Sequence, residues 1–127
     1  MILDIVDQHV DVLKQAYPRT RHQRRNDGSV LVEISEFPLP PGWNAGTTTV
    51  SFVVPLGYPQ ARPDSFWTDP SLRLKHEGMP ANSGLNTNYG GPDPRLWFSY
   101  HPERWDPNRD SLWTYLKLIR RRFEDPR

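Results

Sequence analysis

Residues 53–68 decide the fold, and they read Val53-Val54-Pro55-Leu56-Gly57-Tyr58-Pro59-Gln60-Ala61-Arg62-Pro63-Asp64-Ser65-Phe66-Trp67-Thr68. The first of these residues complete an alternation of apolar side chains, which predicts a half-buried strand. Prolines in the middle exclude a central strand or a long helix. The last four residues predict a short edge strand, so the stretch consists of a strand, a proline-bearing loop and a second strand.

The chain before this stretch predicts a helix and a hairpin. Apolar residues from Ile2 to Leu13 recur at three- and four-residue spacing, which predicts an amphipathic helix over residues 2–17 that Pro18 ends. Residues 19–25 hold four arginines and one histidine ahead of turn-forming residues, which predicts a basic loop entering the hairpin.

Two apolar alternations follow, and each predicts a strand. Val30, Val32 and Ile34 form the first, whereas Val50, Phe52 and Val54 form the second. The residues between them, 37–46, are rich in proline and glycine and predict an exposed connection.

The second half of the chain predicts a long loop and a helix. Residues 78–95 contain four glycines, three prolines and three asparagines, which predicts an irregular functional loop. Asp106 before Pro107 is typical of a helix start, since an acid caps the helix and proline suits its first position. One face of that helix is apolar: Leu112, Tyr115, Leu116, Ile119 and Phe123.

Length, charge and composition restrict the function. The 127 residues predict one α+β domain spanning residues 1–127, and a net charge of +1 does not indicate nucleic acid as a partner. The absence of cysteine excludes a thiol nucleophile, and the four histidines lack the spacing of a metal site. No apolar run is long enough for a membrane span, so we expect a cytoplasmic protein without metal or cofactor.

The order of these elements resembles that of ubiquitin-conjugating enzymes. Residues 53–68 are similar to the strand and Tyr-Pro segment of that family, and Pro40-Pro41-Gly42-Trp43 is similar to the loop before its third strand. Trp105-Asp106-Pro107 looks like the family's Trp-x-Pro turn. The resemblance spans nearly the whole chain and is closest to divergent bacterial members, which are associated with ubiquitin-like conjugation systems. It implies an N-terminal helix, an antiparallel meander sheet, a long irregular loop and a C-terminal helix.

The chain departs from the family pattern at the nucleophile. The region that carries the family's cysteine reads Trp97-Phe98-Ser99-Tyr100-His101 here, and no His-Pro-Asn tripeptide is present. His76 is the nearest counterpart of the histidine in that tripeptide. The sequence also stops after the helix of the Trp-x-Pro turn, so the resemblance implies a truncated domain like some non-catalytic variants.

Ser99 is the hydroxyl nearest to the missing cysteine. It would carry an acyl group as an oxyester if His101 or His76 removed its proton, and residues 99 and 101 share a face if both lie on one strand. No carboxylate that orients the histidine can be named from the sequence, so structural roles remain an alternative. Asn82, Asn86 and Asn88 either donate to an oxyanion or form turns.

Partner-binding candidates come from the resemblance and from residue type. In the family, the first helix and the Tyr-Pro loop contact activating enzymes and ligases, and tryptophan and tyrosine dominate binding hot spots. The candidates are Asp4, Asp7, Asp11, Arg19, Arg21, Trp43, Tyr58 and Trp67.

The sequence supports two hypotheses about function. The first is a non-catalytic adaptor that binds the activating enzyme, the ubiquitin-like protein or both. The second is a conjugating enzyme that carries the ubiquitin-like protein as an oxyester on Ser99. An unrelated α+β scaffold with a similar proline pattern is a more distant alternative.

Overall fold

The structure is a computed structural model that describes residues 4–127. Ile2, the first apolar residue of the predicted helix, lies outside the described residues. The elements in chain order are α1 (Ile5–Ala16), β1 (Thr20–Arg24), β2 (Val30–Pro38), β3 (Thr47–Val54), β4 (Phe66–Thr68), β5 (Ser83–Asn86), β6 (Arg95–Phe98) and α2 (Leu112–Phe123).

The six strands form one antiparallel sheet in the order β1-β2-β3-β4-β6-β5. The first four strands are a meander, and β5 and β6 form a hairpin added beside β4. Both helices bury their apolar faces with the inward side chains of the strands in a single core. The predicted α+β fold with a ubiquitin-conjugating-enzyme-like architecture is confirmed.

Two sequence predictions before residue 50 need correction. Residues 20–24 form strand β1 rather than a basic loop, because β2 pairs with them and α1 provides carboxylates for their cations. The connection over residues 37–46 is partly core, since β2 continues to Pro38 and both Phe37 and Trp43 are buried. A bulge at Glu36, whose φ is 56°, turns Phe37 inward.

Two further corrections concern the sheet after β3. Strand β4 is not an edge strand, because it pairs with β3 on one side and β6 on the other. The predicted irregular loop over residues 78–95 contains β5, which makes β5 the edge instead.

Helix α2 begins later than predicted. Ser111 caps it, accepting from the Trp113 N–H at 3.2 Å, and the Thr114 hydroxyl accepts from the Ser111 N–H in return. Asp106 instead closes the turn before the helix, since its carboxylate accepts from the Asn108 N–H at 2.9 Å. The apolar face predicted for this helix is buried as expected.

Candidate functional site

The end of β6 places Ser99 beside the start of β5. Ser99 directly follows β6, and its N–H donates to the Asn82 carbonyl at 2.9 Å. Because Phe98 points into the core, the alternation along the strand directs Trp97 and Ser99 to the opposite face. Ser99 is half-buried, and its hydroxyl makes no hydrogen bond with any residue in the described range 4–127.

His101 lies next to an acid on the β3–β4 loop. Its Nδ1 is 3.6 Å from Oδ1 of Asp64, and the same oxygen accepts from the Arg62 guanidinium at 2.8 Å. Since β6 ends at Phe98, Ser99 and His101 do not share a strand, and the geometric condition for their common face is not met. Asp64 is therefore a carboxylate beside His101 that sequence reasoning had not found, at a distance longer than a hydrogen bond.

The other polar candidates are separated from this group. His76 is exposed on the β4–β5 connection and pairs with none of the residues that the structure describes. The Asn86 side-chain oxygen accepts from the Trp67 indole N–H at 2.8 Å and from the Asn88 N–H at 3.1 Å. The Asn86 side chain therefore connects β4, through Trp67, to the turn that follows β5. Asn82 is the exception, since its backbone carbonyl accepts from the Ser99 N–H.

Tyr58 joins the β3–β4 loop to both helices. Its hydroxyl oxygen accepts from the Leu112 N–H at 2.9 Å, so the O–H is free to donate to Nδ1 of His9 at 2.5 Å. Burial raises the pKa of Tyr58 to about 12 and lowers the pKa of His9. Close by, the Trp105 indole N–H donates to the Pro59 carbonyl at 2.7 Å, which fixes the Trp-x-Pro turn on the Tyr-Pro segment.

The three aromatic residues predicted to contact a partner are buried. Each of them, Trp43, Tyr58 and Trp67, is at most 6% exposed. The indole N–H of Trp43 donates to the Phe123 carbonyl at 2.8 Å. Trp43 and Tyr58 belong to the core, whereas Trp67 lies in β4 on the opposite face of the sheet and packs against Tyr89, so the three rings offer almost no surface to another protein. The prediction of direct contact by these side chains is corrected on that ground.

The charged candidates divide into paired and unpaired residues. Asp4 caps α1 and forms an ion pair with Arg24. Its carboxylate accepts a hydrogen bond from the Asp7 backbone N–H at 2.9 Å, and this bond is the main cause of the lowered pKa of Asp4. Asp7 pairs with His22 at 3.1 Å. Arg19 likewise pairs with Glu36, at 3.2 Å between two exposed side chains.

Asp11 and Arg21 are exposed, and they form no ion pair within residues 4–127. Of the five charged candidates, these two remain available to a partner.

Sequence reasoning missed an exposed apolar surface next to these groups. Leu56 is 75% exposed on the β3–β4 loop, and Ile5 is exposed at the start of α1. The His9–Tyr58 bond joins the loop to the helix. We call the exposed side of α1 together with residues 55–57 the helix–loop surface. A leucine between two turn-forming residues gives no periodic signal, so only its exposure in the fold reveals it.

The described residues offer neither a metal-ion cluster nor a membrane-spanning helix. Within residues 4–127, no group of three or more histidine, cysteine or acidic side chains is placed to hold a metal ion. None of the helices described is long and apolar enough to cross a membrane.

Comparison with known proteins gives one match. The family model of prokaryotic E2 family E matches residues 11–125, from the middle of α1 to the end of α2 and beyond. No curated protein and no solved structure matches the chain significantly. E2-like proteins in general interact with a ubiquitin-like protein and its activating enzyme. The match covers most of the chain and agrees with the antiparallel sheet and its two flanking helices, so the chain belongs to prokaryotic E2 family E and is an E2-like protein of a conjugation pathway.

Proposed function

We propose that this E2-like chain is a non-catalytic adaptor that binds the activating enzyme, the ubiquitin-like protein or both. One observation carries the proposal. The sequence has no cysteine, and the hydroxyl at the corresponding place, Ser99, has no hydrogen-bonded base within the described residues. A serine hydroxyl without an adjacent base is a weak nucleophile. The family fold is retained without an activated nucleophile, which favours binding over transfer.

The helix–loop surface is the contact that we assign to the partner. Its exposed apolar residue, Leu56, lies beside Gly28, where an added Cβ would come within 2.6 Å of the leucine side chain. Exposed apolar side chains of this kind act as anchors when a partner buries them. Asp11, on the exposed side of α1, is a charged group of this surface that forms no ion pair within the described chain.

Binding measurements with two matched variants test the adaptor function. The immobilised chain is titrated separately with an activating enzyme and a ubiquitin-like protein from the same organism. Leu56→Asp should weaken binding of at least one partner by about tenfold or more, because a buried apolar anchor contributes on the order of 1–3 kcal/mol. Met79→Asp on the β4–β5 connection, a second exposed apolar residue, should leave it unchanged. No binding of either partner by the unaltered chain refutes the adaptor function.

A second candidate function rests on the His101–Asp64 pair. In this candidate the Asp64 carboxylate, 3.6 Å from Nδ1 of His101, orients the imidazole while Nε2 accepts the Ser99 proton. The Ser99 oxygen would attack the carbonyl carbon of the thioester between the activating enzyme and the ubiquitin-like protein. The C–S bond breaks, the oxyester forms, and the proton passes through His101 to the departing thiolate.

This candidate function requires Asp64 for the rate of oxyester formation, whereas the adaptor function does not. If the oxyester forms, Asp64→Asn should slow its formation and shift the pH dependence of the rate, while partner binding stays the same. Equal rates for Asp64→Asn and the unaltered chain would remove the only structural support for catalysis.

A further inference from the structure

Strand β5 presents one unpaired backbone edge. It is the last strand of the sheet, and within residues 4–127 it pairs with β6 alone. The Ser99 N–H donates to the Asn82 carbonyl, and hydrogen-bonded pairs alternate along an antiparallel ladder. Gly84 and Asn86 therefore direct their backbone groups to β6. Ser83 and Leu85 direct theirs away from the sheet.

The chain itself already pairs with part of this edge. The Ala81 N–H, which points to the same side, donates to the Arg127 carbonyl at 2.8 Å. Buried Arg122 holds that carbonyl at 2.9 Å and packs over the Trp43 ring. The edge therefore accepts extended backbone, and the segment ending at Arg127 closes it beside Ala81 while Ser83 and Leu85 stay open.

The open part of the edge has no charge and one exposed apolar side chain. Strand β5 reads Ser-Gly-Leu-Asn, and Leu85 is 51% exposed although its cross-strand neighbour Leu96 is buried. Edge strands of natural proteins commonly carry charges that prevent pairing with other chains. The opposite edge, β1, follows that rule, with two arginines and a histidine and with α1 packed beside it.

We propose that β5 is a self-association surface that pairs antiparallel with β5 of a second copy, with the twofold axis at Leu85. In this register the two Leu85 residues exchange both backbone hydrogen bonds, and their side chains face each other across the axis. Ala81, whose N–H bonds the Arg127 carbonyl, lies outside the four-residue segment that would pair. A twofold contact is self-complementary only without like charges at the axis, and this edge has none.

The dimer is expected to be weak and independent of the proposed adaptor function. Pairing of four-residue strands covers less than a standard interface, so we expect a dissociation constant on the order of 100 µM or above. Sedimentation equilibrium from about 10 µM to about 1 mM covers this range. The average mass should rise from 14.8 kDa toward twice that value with concentration.

Charge substitutions at the axis test the register. Leu85→Lys and Leu85→Asp should each raise the dissociation constant about tenfold or more, since like charges then face each other. An equimolar mixture of the two variants should recover the association, because opposite charges meet at the axis. Val12→Lys, 45% exposed on α1, is the control and should associate like the unaltered chain.

Several outcomes would overturn the proposal. A mass of 14.8 kDa at every concentration excludes self-association, and association that persists in Leu85→Lys places the contact elsewhere. Circular dichroism of each variant separates loss of folding from loss of pairing. Failure of the mixed variants to associate, with both folded, refutes the twofold axis at Leu85.

Discussion

Replacing Tyr58 with phenylalanine tests the junction between the Tyr-Pro loop and the two helices. The substitution keeps the buried ring and removes one oxygen, which accepts from the Leu112 N–H and contacts His9. Leu112 is fully buried, so its N–H would lose its partner with no water to replace it. A buried donor left unsatisfied costs about 1–3 kcal/mol, and the lost bond to His9 adds about 0.5–1.5 kcal/mol.

We therefore expect Tyr58→Phe to lower the free energy of unfolding by about 1.5–4.5 kcal/mol. With a urea dependence of about 2 kcal/mol per molar, the unfolding midpoint should fall by about 0.8–2.2 M. Urea titrations followed by tryptophan fluorescence and by circular dichroism give the midpoint and test two-state behaviour.

Tyr17→Phe is the matched control for this substitution. Tyr17 stacks on Phe37 at 5.1 Å between ring centroids, and its hydroxyl has no hydrogen-bond partner in the described part of the chain. Its removal should change the free energy of unfolding by less than about 0.5 kcal/mol. Equal effects of the two substitutions would show that the Tyr58 hydroxyl does not hold the junction, and the reasoning from its contacts would be wrong.

Three further predictions concern stability. Burial lowers the pKa of His9, so the folded protein binds fewer protons than the unfolded chain. The free energy of unfolding should therefore decrease as the pH drops below about 6.5, the pKa of histidine in the unfolded chain. His9→Gln should make this decrease smaller in unfolding measurements from pH 7.5 to 5.5. Arg122→Met leaves three carbonyl acceptors without their donor and should lower the thermal midpoint by about 4 °C or more. Gly42→Ala places Cβ 2.4 Å from Pro126 at a φ of +110° and should cost about 1–3 kcal/mol by urea titration, whereas Gly46→Ala should not.

Periodic segments of the sequence were predicted well because their pattern records burial directly. The three- and four-residue spacing of Val6, Val10 and Leu13 gave α1, and the alternation of Val50, Phe52 and Val54 gave β3. These side chains face one core, so the local period and the tertiary environment agree.

Elements that depend on a distant partner were missed or misplaced. The β5 sequence Ser-Gly-Leu-Asn lacks β-branched residues, and it is a strand because β6 pairs with it. Asp106 and Ser111 are both good caps. The chain turns at Asp106, and the helix starts only where the Tyr58 hydroxyl meets the Leu112 N–H. The strand β5 and the start of α2 depend on contacts with residues distant in the sequence, and a local sequence pattern does not contain those contacts.

The candidate site was predicted in part. The sequence identified Ser99 and His101, but the carboxylate beside His101 lies 37 positions earlier in the chain, at Asp64, and no spacing rule relates them. The aromatic residues Trp43 and Trp67 were predicted as partner contacts because tryptophan and tyrosine dominate binding hot spots. In the fold, their indole N–H groups donate to the Phe123 carbonyl and to the Asn86 side chain, and both rings are buried.

The intact mass of the chain after incubation with its activating enzyme, its ubiquitin-like partner and ATP tests the adaptor function most directly. We predict that the chain binds a partner and keeps its mass of 14.8 kDa, because Ser99 has no assembled base within the described residues. A mass increase equal to the ubiquitin-like protein, removed by hydroxylamine and absent in Ser99→Ala, would contradict the account and establish transfer through an oxyester.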